Sequence, residues 1–273
     1  MKAPCLFSLI LAGLTLGMHS PAQDSLMPAG WIAYNGDTSP YMFCANHSEN
    51  EWHVTMASGK ISISRSSKEA HLKPPPHFHI DASMRGKTVV AKAGDGWLVG
   101  FDAGEWGGGL WWANDSGRDK RMLIEENVHA IISRGPELLV FTGLGYGGMD
   151  NGRVYSYRPT PRKVGELVEI SNLDSAPDAA LIDTHGTVLI AAQTRISALD
   201  TSNHVRVLFQ NSDMALLYPN SIVEDQGGNV VIGMRFFVLQ LKLRFDGTYA
   251  PAWYVPDRCS KIKVQGSYCV CRR

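Results

Sequence analysis

Apolar residues along this chain come in short runs rather than at helical spacing. After residue 30 no stretch carries the i, i+3, i+4, i+7 recurrence of an amphipathic helix. What recurs is a brief apolar run, mostly opened by a glycine turn. The runs are Gly96-Trp97-Leu98-Val99-Gly100, Leu138-Leu139-Val140-Phe141, Gly186-Thr187-Val188-Leu189-Ile190-Ala191 and Gly228-Asn229-Val230-Val231-Ile232-Gly233. Their centres, Leu98, Leu139, Leu189 and Val231, stand 41, 50 and 42 residues apart. A period in the forties with several short strands per unit predicts the blades of a β-propeller.

Two units sharpen that expectation. Pro177-Asp178-Ala179-Ala180-Leu181-Ile182-Asp183-Thr184-His185-Gly186 leads into TVLIAAQTRISALD, and Pro219-Asn220-Ser221-Ile222-Val223-Glu224-Asp225-Gln226-Gly227-Gly228 leads into NVVIGMRFFVLQLKL. Each predicts a strand, a turn at Asp-x-x-Gly, a second strand, and a third after a tight bend. A weaker copy runs from Asn127 through Gly135, where glycines 143, 145, 147 and 148 predict a long hairpin loop ahead of Arg153–Tyr157. The same outline fits 96–112, with its turn at Gly104-Glu105-Trp106-Gly107-Gly108-Gly109. These units resemble the blade repeats of two-component-regulator, NHL and senescence-marker (gluconolactonase-like) propellers over roughly residues 86–250. That resemblance implies an architecture, an all-β single-domain propeller, and no one activity.

Composition and the chain's ends bear on size and compartment. Lys2 followed by the apolar run Cys5–Leu16 and the small residues of Ser20-Pro21-Ala22 reads as a secretory signal peptide over 1–22. The propeller domain is then 23–273, whose 251 residues allow about six blades, or five. Export predicts a secreted or periplasmic protein, and no run is long enough for a membrane span. In an oxidising compartment Cys44, Cys259, Cys269 and Cys271 would form two disulfides, with one of Cys269 and Cys271 paired to Cys259 and the other to Cys44. The second bond would tie the first blade to the last. Lys and Arg total 26 against 26 Asp and Glu, which gives no reason to expect a nucleic-acid partner.

The candidate chemistry lies at three places. Asn127, Asp178 and Asn220 each stand eight residues before a turn glycine, where a propeller chain leads into its innermost strand. Their side chains are expected to converge at one mouth of the central channel. The gluconolactonase-like resemblance implies a divalent metal there, held by Asn, Asp and Glu oxygens of the kind that suit calcium or magnesium. Ala179 and Ser221 depart from that family's Pro-Asp-Gly and Pro-Asn-Gly segments, the order of the two units is inverted, and no N-terminal Glu ligand is evident. Asn and Asp also start turns for backbone reasons alone. Second, Trp106 beside Glu105 in a glycine-rich turn presents an aromatic plane and a carboxylate suited to a saccharide. Third, His77, His79 and Asp81 share one face if extended, a transition-metal pattern that three preceding prolines turn toward a solvated edge. Nucleophile elbows, P-loops and dinucleotide fingerprints are absent. The expected function is a non-catalytic module binding a saccharide or protein at one face of the ring. The alternative is a divalent-metal-dependent lactonase or hydrolase with its ligands at the channel mouth.

Overall fold

The computed structural model describes residues 27–36, 38, 45, 51–66, 73–82, 84–161 and 163–257. They form one mostly-β domain of five antiparallel sheets in a propeller-like arrangement. The first short strand is β1 (Trp31–Tyr34), followed by a two-stranded sheet of β2 (Glu51–Ala57) and β3 (Lys60–Ser66). Three four-stranded meanders follow. They are β4 (Lys87–Ala93), β5 (Gly96–Asp102), β6 (Gly108–Asn114) and β7 (Lys120–Ile124); β8 (Val128–Arg134), β9 (Glu137–Tyr146), β10 (Met149–Thr160) and β11 (Lys163–Asn172); and β12 (Pro177–Ile182), β13 (Val188–Ala192), β14 (Arg195–Leu199) and β15 (Val205–Gln210). The last meander, β16 (Ser221–Glu224), β17 (Val230–Gly233), β18 (Val238–Leu243) and β19 (Tyr249–Pro256), is widened by β1, which pairs antiparallel with β19 from Trp31↔Pro256 to Tyr34↔Trp253.

The recurring apolar runs are the second strands of the meanders. Every residue of β13 and β17 is buried, and Leu98 of β5 and Leu139 of β9 are fully enclosed. A strand covered on both faces by neighbouring sheets needs a continuous apolar run rather than alternation, which is why these runs dominate the sequence pattern. The Asp-x-x-Gly turns close by side-chain capping. Asp183 Oδ1 accepts from the amides of His185 at 2.7 Å and Thr187 at 2.8 Å, and Asp225 Oδ1 from those of Gly227 at 2.9 Å and Asn229 at 2.8 Å. Gly186 and Gly228 take φ of 85° and 76°, a conformation a Cβ disfavours.

Two expectations are corrected. Gly143 and Gly145 lie inside β9 rather than in a loop, and only Gly147-Gly148 turns the hairpin, with both φ positive as a tight two-residue turn requires. The disulfide framework is also withdrawn. No disulfide joins any of the described residues, and all five cysteines lie outside them. The link between the chain's first strand and its last sheet is instead the β1–β19 ladder. The proposed signal segment 1–22 lies outside the described residues as well. No helix among the described residues is long and apolar enough to cross a membrane.

Successive first strands pack on one another, β4 on β8, β8 on β12, and β12 on β16, with β2 seated against β16 and β17. Because every meander runs first strand, turn, second strand, the starts of β4, β8, β12 and β16 gather at one end. The loops between second and third strands, at 103–107, 147–148, 193–194 and 234–237, share that end. Here it is called the mouth.

Candidate functional site

The mouth is built by residues leading into the first strands. Asp178 and Asn220 occupy equivalent places, each directly after a proline (Pro177, Pro219), on neighbouring sheets. Both carry a buried polar atom with no hydrogen-bond partner, Asp178 Oδ2 and Asn220 Nδ2. Burial pushes the Asp178 carboxyl well above its ordinary value; the Lys87 charge opposes this, while Asp102 and Asp150 reinforce it. Buried polar atoms without a partner are uncommon, and these two stand at equivalent positions of neighbouring sheets. Asn220 is oriented by Ser221, whose hydroxyl donates to Asn220 Oδ1 at 2.8 Å and accepts from the Val54 amide at 2.9 Å.

Asn127 is placed at the same end, but its amide is already engaged. Its Nδ2 donates to the Gly104 carbonyl at 2.9 Å, and its Oδ1 accepts from the Ala103 amide at 3.3 Å. It clamps the 3-10 turn Gly104–Trp106 rather than facing the centre. Asp102 steers the same loop, accepting from the Gly104 amide at 2.9 Å, while its other oxygen stands 3.3 Å from His129 Nδ1. The far nitrogen of His129 meets the Gly143 carbonyl at 3.0 Å. Opposite, Glu51 lies 3.1 Å from the Arg235 guanidinium, which covers the Tyr218 ring at 4.3 Å. His53 first, with Arg235 adding to it, holds the Glu51 carboxyl below its ordinary value. Tyr218 and Phe236 both adopt positive φ here (52° and 73°), strain of a kind that gathers at functional ends.

Glu105 and Trp106, a separate candidate in the sequence, come from the β5–β6 loop and stand on the mouth face too. Trp106 is 69% exposed, with the Arg85 guanidinium 5.9 Å from its ring. Across the loop, the Tyr146 hydroxyl donates to Glu105, which raises the tyrosine's pKa. By contrast the remaining sequence candidates serve structure. His77 and His79 lie in an exposed segment fastened by Lys120, whose ammonium reaches the His79 carbonyl at 2.7 Å. Of the other indoles in the tryptophan-rich segment, Trp97 and Trp111 pack under Lys92 and Lys120.

Lys87, His129 and Asp150 were not singled out from the sequence. A signal existed for Lys87, since Gly86 lies eight residues before the turn glycine Gly94, as Asn127 lies before Gly135. A Cβ at Gly86 would strike the Asp102 carbonyl at 1.8 Å, so glycine occupies that place and Lys87 follows it. Asp150 gives no such signal. Its carboxylate accepts from the Ala176 amide at 2.7 Å, the Ser175 hydroxyl at 2.9 Å and the Thr194 hydroxyl at 3.0 Å, which pins the segment leading to Asp178. Asp150→Ala strips three donors of one acceptor, and Ser175 is fully buried. The expected loss is about 2–4 kcal/mol in urea unfolding. An unchanged midpoint would show that the latch contributes nothing.

A divalent ion finds few oxygens at this mouth. Asn127 is spent on backbone, the Lys87 charge faces Asp178, and among the described residues no group of three or more His, Cys, Asp or Glu is placed to hold a metal. Calcium takes six to eight oxygens, and of the three ligands expected from the sequence Asn127 already spends its amide on backbone.

No known protein-family profile matches the chain, and no curated protein matches it. Among solved structures, a gluconolactonase from Xanthomonas campestris is similar, with 12% identity over 76% of this chain and 68% of that chain, at a TM-score of 0.39. A likeness that loose carries no argument about this chain's activity.

Proposed function

We propose that the five sheets close into a propeller ring and that its mouth receives a small ligand bearing carbonyl and hydroxyl groups, on which Asp178 acts as a general acid. The observation that carries this is the buried, unpartnered carboxyl oxygen of Asp178 at the mouth, where burial raises its pKa against the pull of the Lys87 charge. A carboxyl whose pKa is raised keeps its proton toward neutral pH and can give it up in a transition state. Asn220 Nδ2, also unpartnered, offers an N–H to a carbonyl oxygen at the neighbouring position. Together they suit hydrolysis of a ring ester. Water adds to the carbonyl carbon, the ring C–O bond breaks, the leaving oxygen takes the Asp178 proton, and the proton shed by water returns to the carboxylate. The metal that the gluconolactonase-like resemblance of the repeats implies has no place in these steps. If residues 1–22 are a leader, the site works in the periplasm or outside the cell, and N-terminal sequencing of exported protein should then begin at Gln23.

The test is proton release from a six-membered sugar lactone in weak buffer, with EDTA, with calcium and with magnesium. A rate above background that survives EDTA and is lost in Asp178→Asn is expected. No acceleration, or one indifferent to that change, overturns the catalytic role. A calcium- or magnesium-dependent rise in Tm that needs Asp178 would instead locate an ion at the mouth.

A further inference from the structure

Beside the mouth lies a cavity of about 370 Å³ whose lining includes Glu105, Glu125, Asn151 and Arg153 together with four glycines. Trp106 stands on its lip, between two of the lining residues, with its indole exposed. The 3-10 turn that carries the indole is fastened at its first residue, where Asp102 accepts from the Gly104 amide and the Asn127 amide donates to the Gly104 carbonyl. The Tyr146 hydroxyl, at the end of β9 on the neighbouring sheet, faces Glu105, whose carboxylate raises the tyrosine's pKa. This is an aromatic plane on a rigid mount, next to a cleft of carboxylates, an amide, a guanidinium and open backbone.

The geometry points to an outer saccharide subsite, in which a pyranose ring stacks on Trp106 while its hydroxyls bond to Glu105 and to the polar cleft beside it. This deepens the proposal for the mouth and rests on it for the inner ring only. The cleft mixes charged and amide groups with apolar surface rather than offering the continuous apolar floor of a protein-docking groove, and glycines let a flat, hydroxyl-rich ring approach the backbone. An indole offers an apolar face of large area at little entropic cost, which suits the C–H face of a sugar. The two places are joined by a short piece of chain. Arg85 lies over the Trp106 ring and Lys87, two residues on, faces Asp178. The chain turns between them at Gly86, whose φ is 89°, so one short segment serves both places, as successive rings of one oligosaccharide would need.

The experiment is calorimetric titration of the full chain with glucose, cellobiose and cellotriose, with tryptophan fluorescence followed in parallel. Cellotriose should bind about fivefold to tenfold more tightly than glucose, the worth of one aromatic stacking contact. In Trp106→Ala the trisaccharide should fall to the affinity of the single ring, and Trp106→Phe should restore part of the gain. Equal affinity for one ring and three, a gain that survives Trp106→Ala, or no saccharide binding at all would overturn the subsite. So would capture of a protein partner through Trp106 with no response to sugars. If Asp178→Asn leaves lactone turnover unchanged while Trp106→Ala removes the affinity gain, the outer subsite stands and the reading of the mouth falls.

Discussion

Replacing Phe237 with alanine should lower stability by about 3–5 kcal/mol, the cost of emptying a large buried aromatic position. Phe237 is fully buried at the start of β18, with its ring 5.4 Å from Tyr34 and 5.8 Å from Trp253. Tyr34 and Trp253 are the last register pair of the β1–β19 ladder. The phenyl group therefore sits behind the rung where the chain's first strand joins its last sheet. Its loss opens a cavity and also loosens the side-chain packing behind the Tyr34 end of a four-residue strand. For a protein of this size the Tm should fall on the order of 10 °C. The readout is urea unfolding of the single variants Phe237→Ala and Tyr34→Ala and of the double variant. If the ring works through β1, the double variant should cost clearly less than the sum of the singles. Strict additivity would show that Phe237 is merely core and that β1 is held by its backbone alone.

The same strand shows what the sequence could and could not disclose. The meanders were legible because their second strands are sandwiched between sheets, and two-sided burial forces a continuous apolar run such as Val188–Ala192. The Asp-x-x-Gly turns were legible because their capping chemistry is local, an Asp Oδ1 bonding amides two and four residues on. β1 was not, since Trp-Ile-Ala-Tyr is too short to show a period and its partner lies more than 200 residues away. Sequence reasoning sought ring closure in Cys44 because covalent links leave a countable mark, whereas a ladder of backbone bonds leaves none. The candidate site divides along the same line. Asp178 and Asn220 were readable from their place in the repeat. Nothing local told Asn127, spent on the Gly104 turn, from Asn220, whose Nδ2 is open. Lys87 and Asp150 enter only through tertiary neighbours, and those are set by how the sheets pack.

Asp178→Asn should make the protein more stable at neutral pH while abolishing its chemistry. The native carboxyl has its pKa raised above the ordinary 3.8, burial being the largest cause. Between that value and the raised one, the folded state keeps a proton that the unfolded state has released. Stability therefore declines as pH climbs through the window and levels off above the folded pKa. Asparagine has the same shape and no proton to lose, so its curve lacks that decline. The two proteins should converge toward acid pH and separate toward neutrality, with the variant ahead by about 1 kcal/mol, the scale of one poorly satisfied buried polar group. Turnover of the lactone should drop on the order of 100-fold or more, as when a general acid is removed. Thermal melts from pH 4 to pH 8 beside initial rates decide the matter. A variant that is less stable at pH 7 would mean that Lys87 depends on the charge, making the residue a structural ion-pair partner. A site retained for chemistry costs stability, and only a gain in one measurement paired with a loss in the other fits that description.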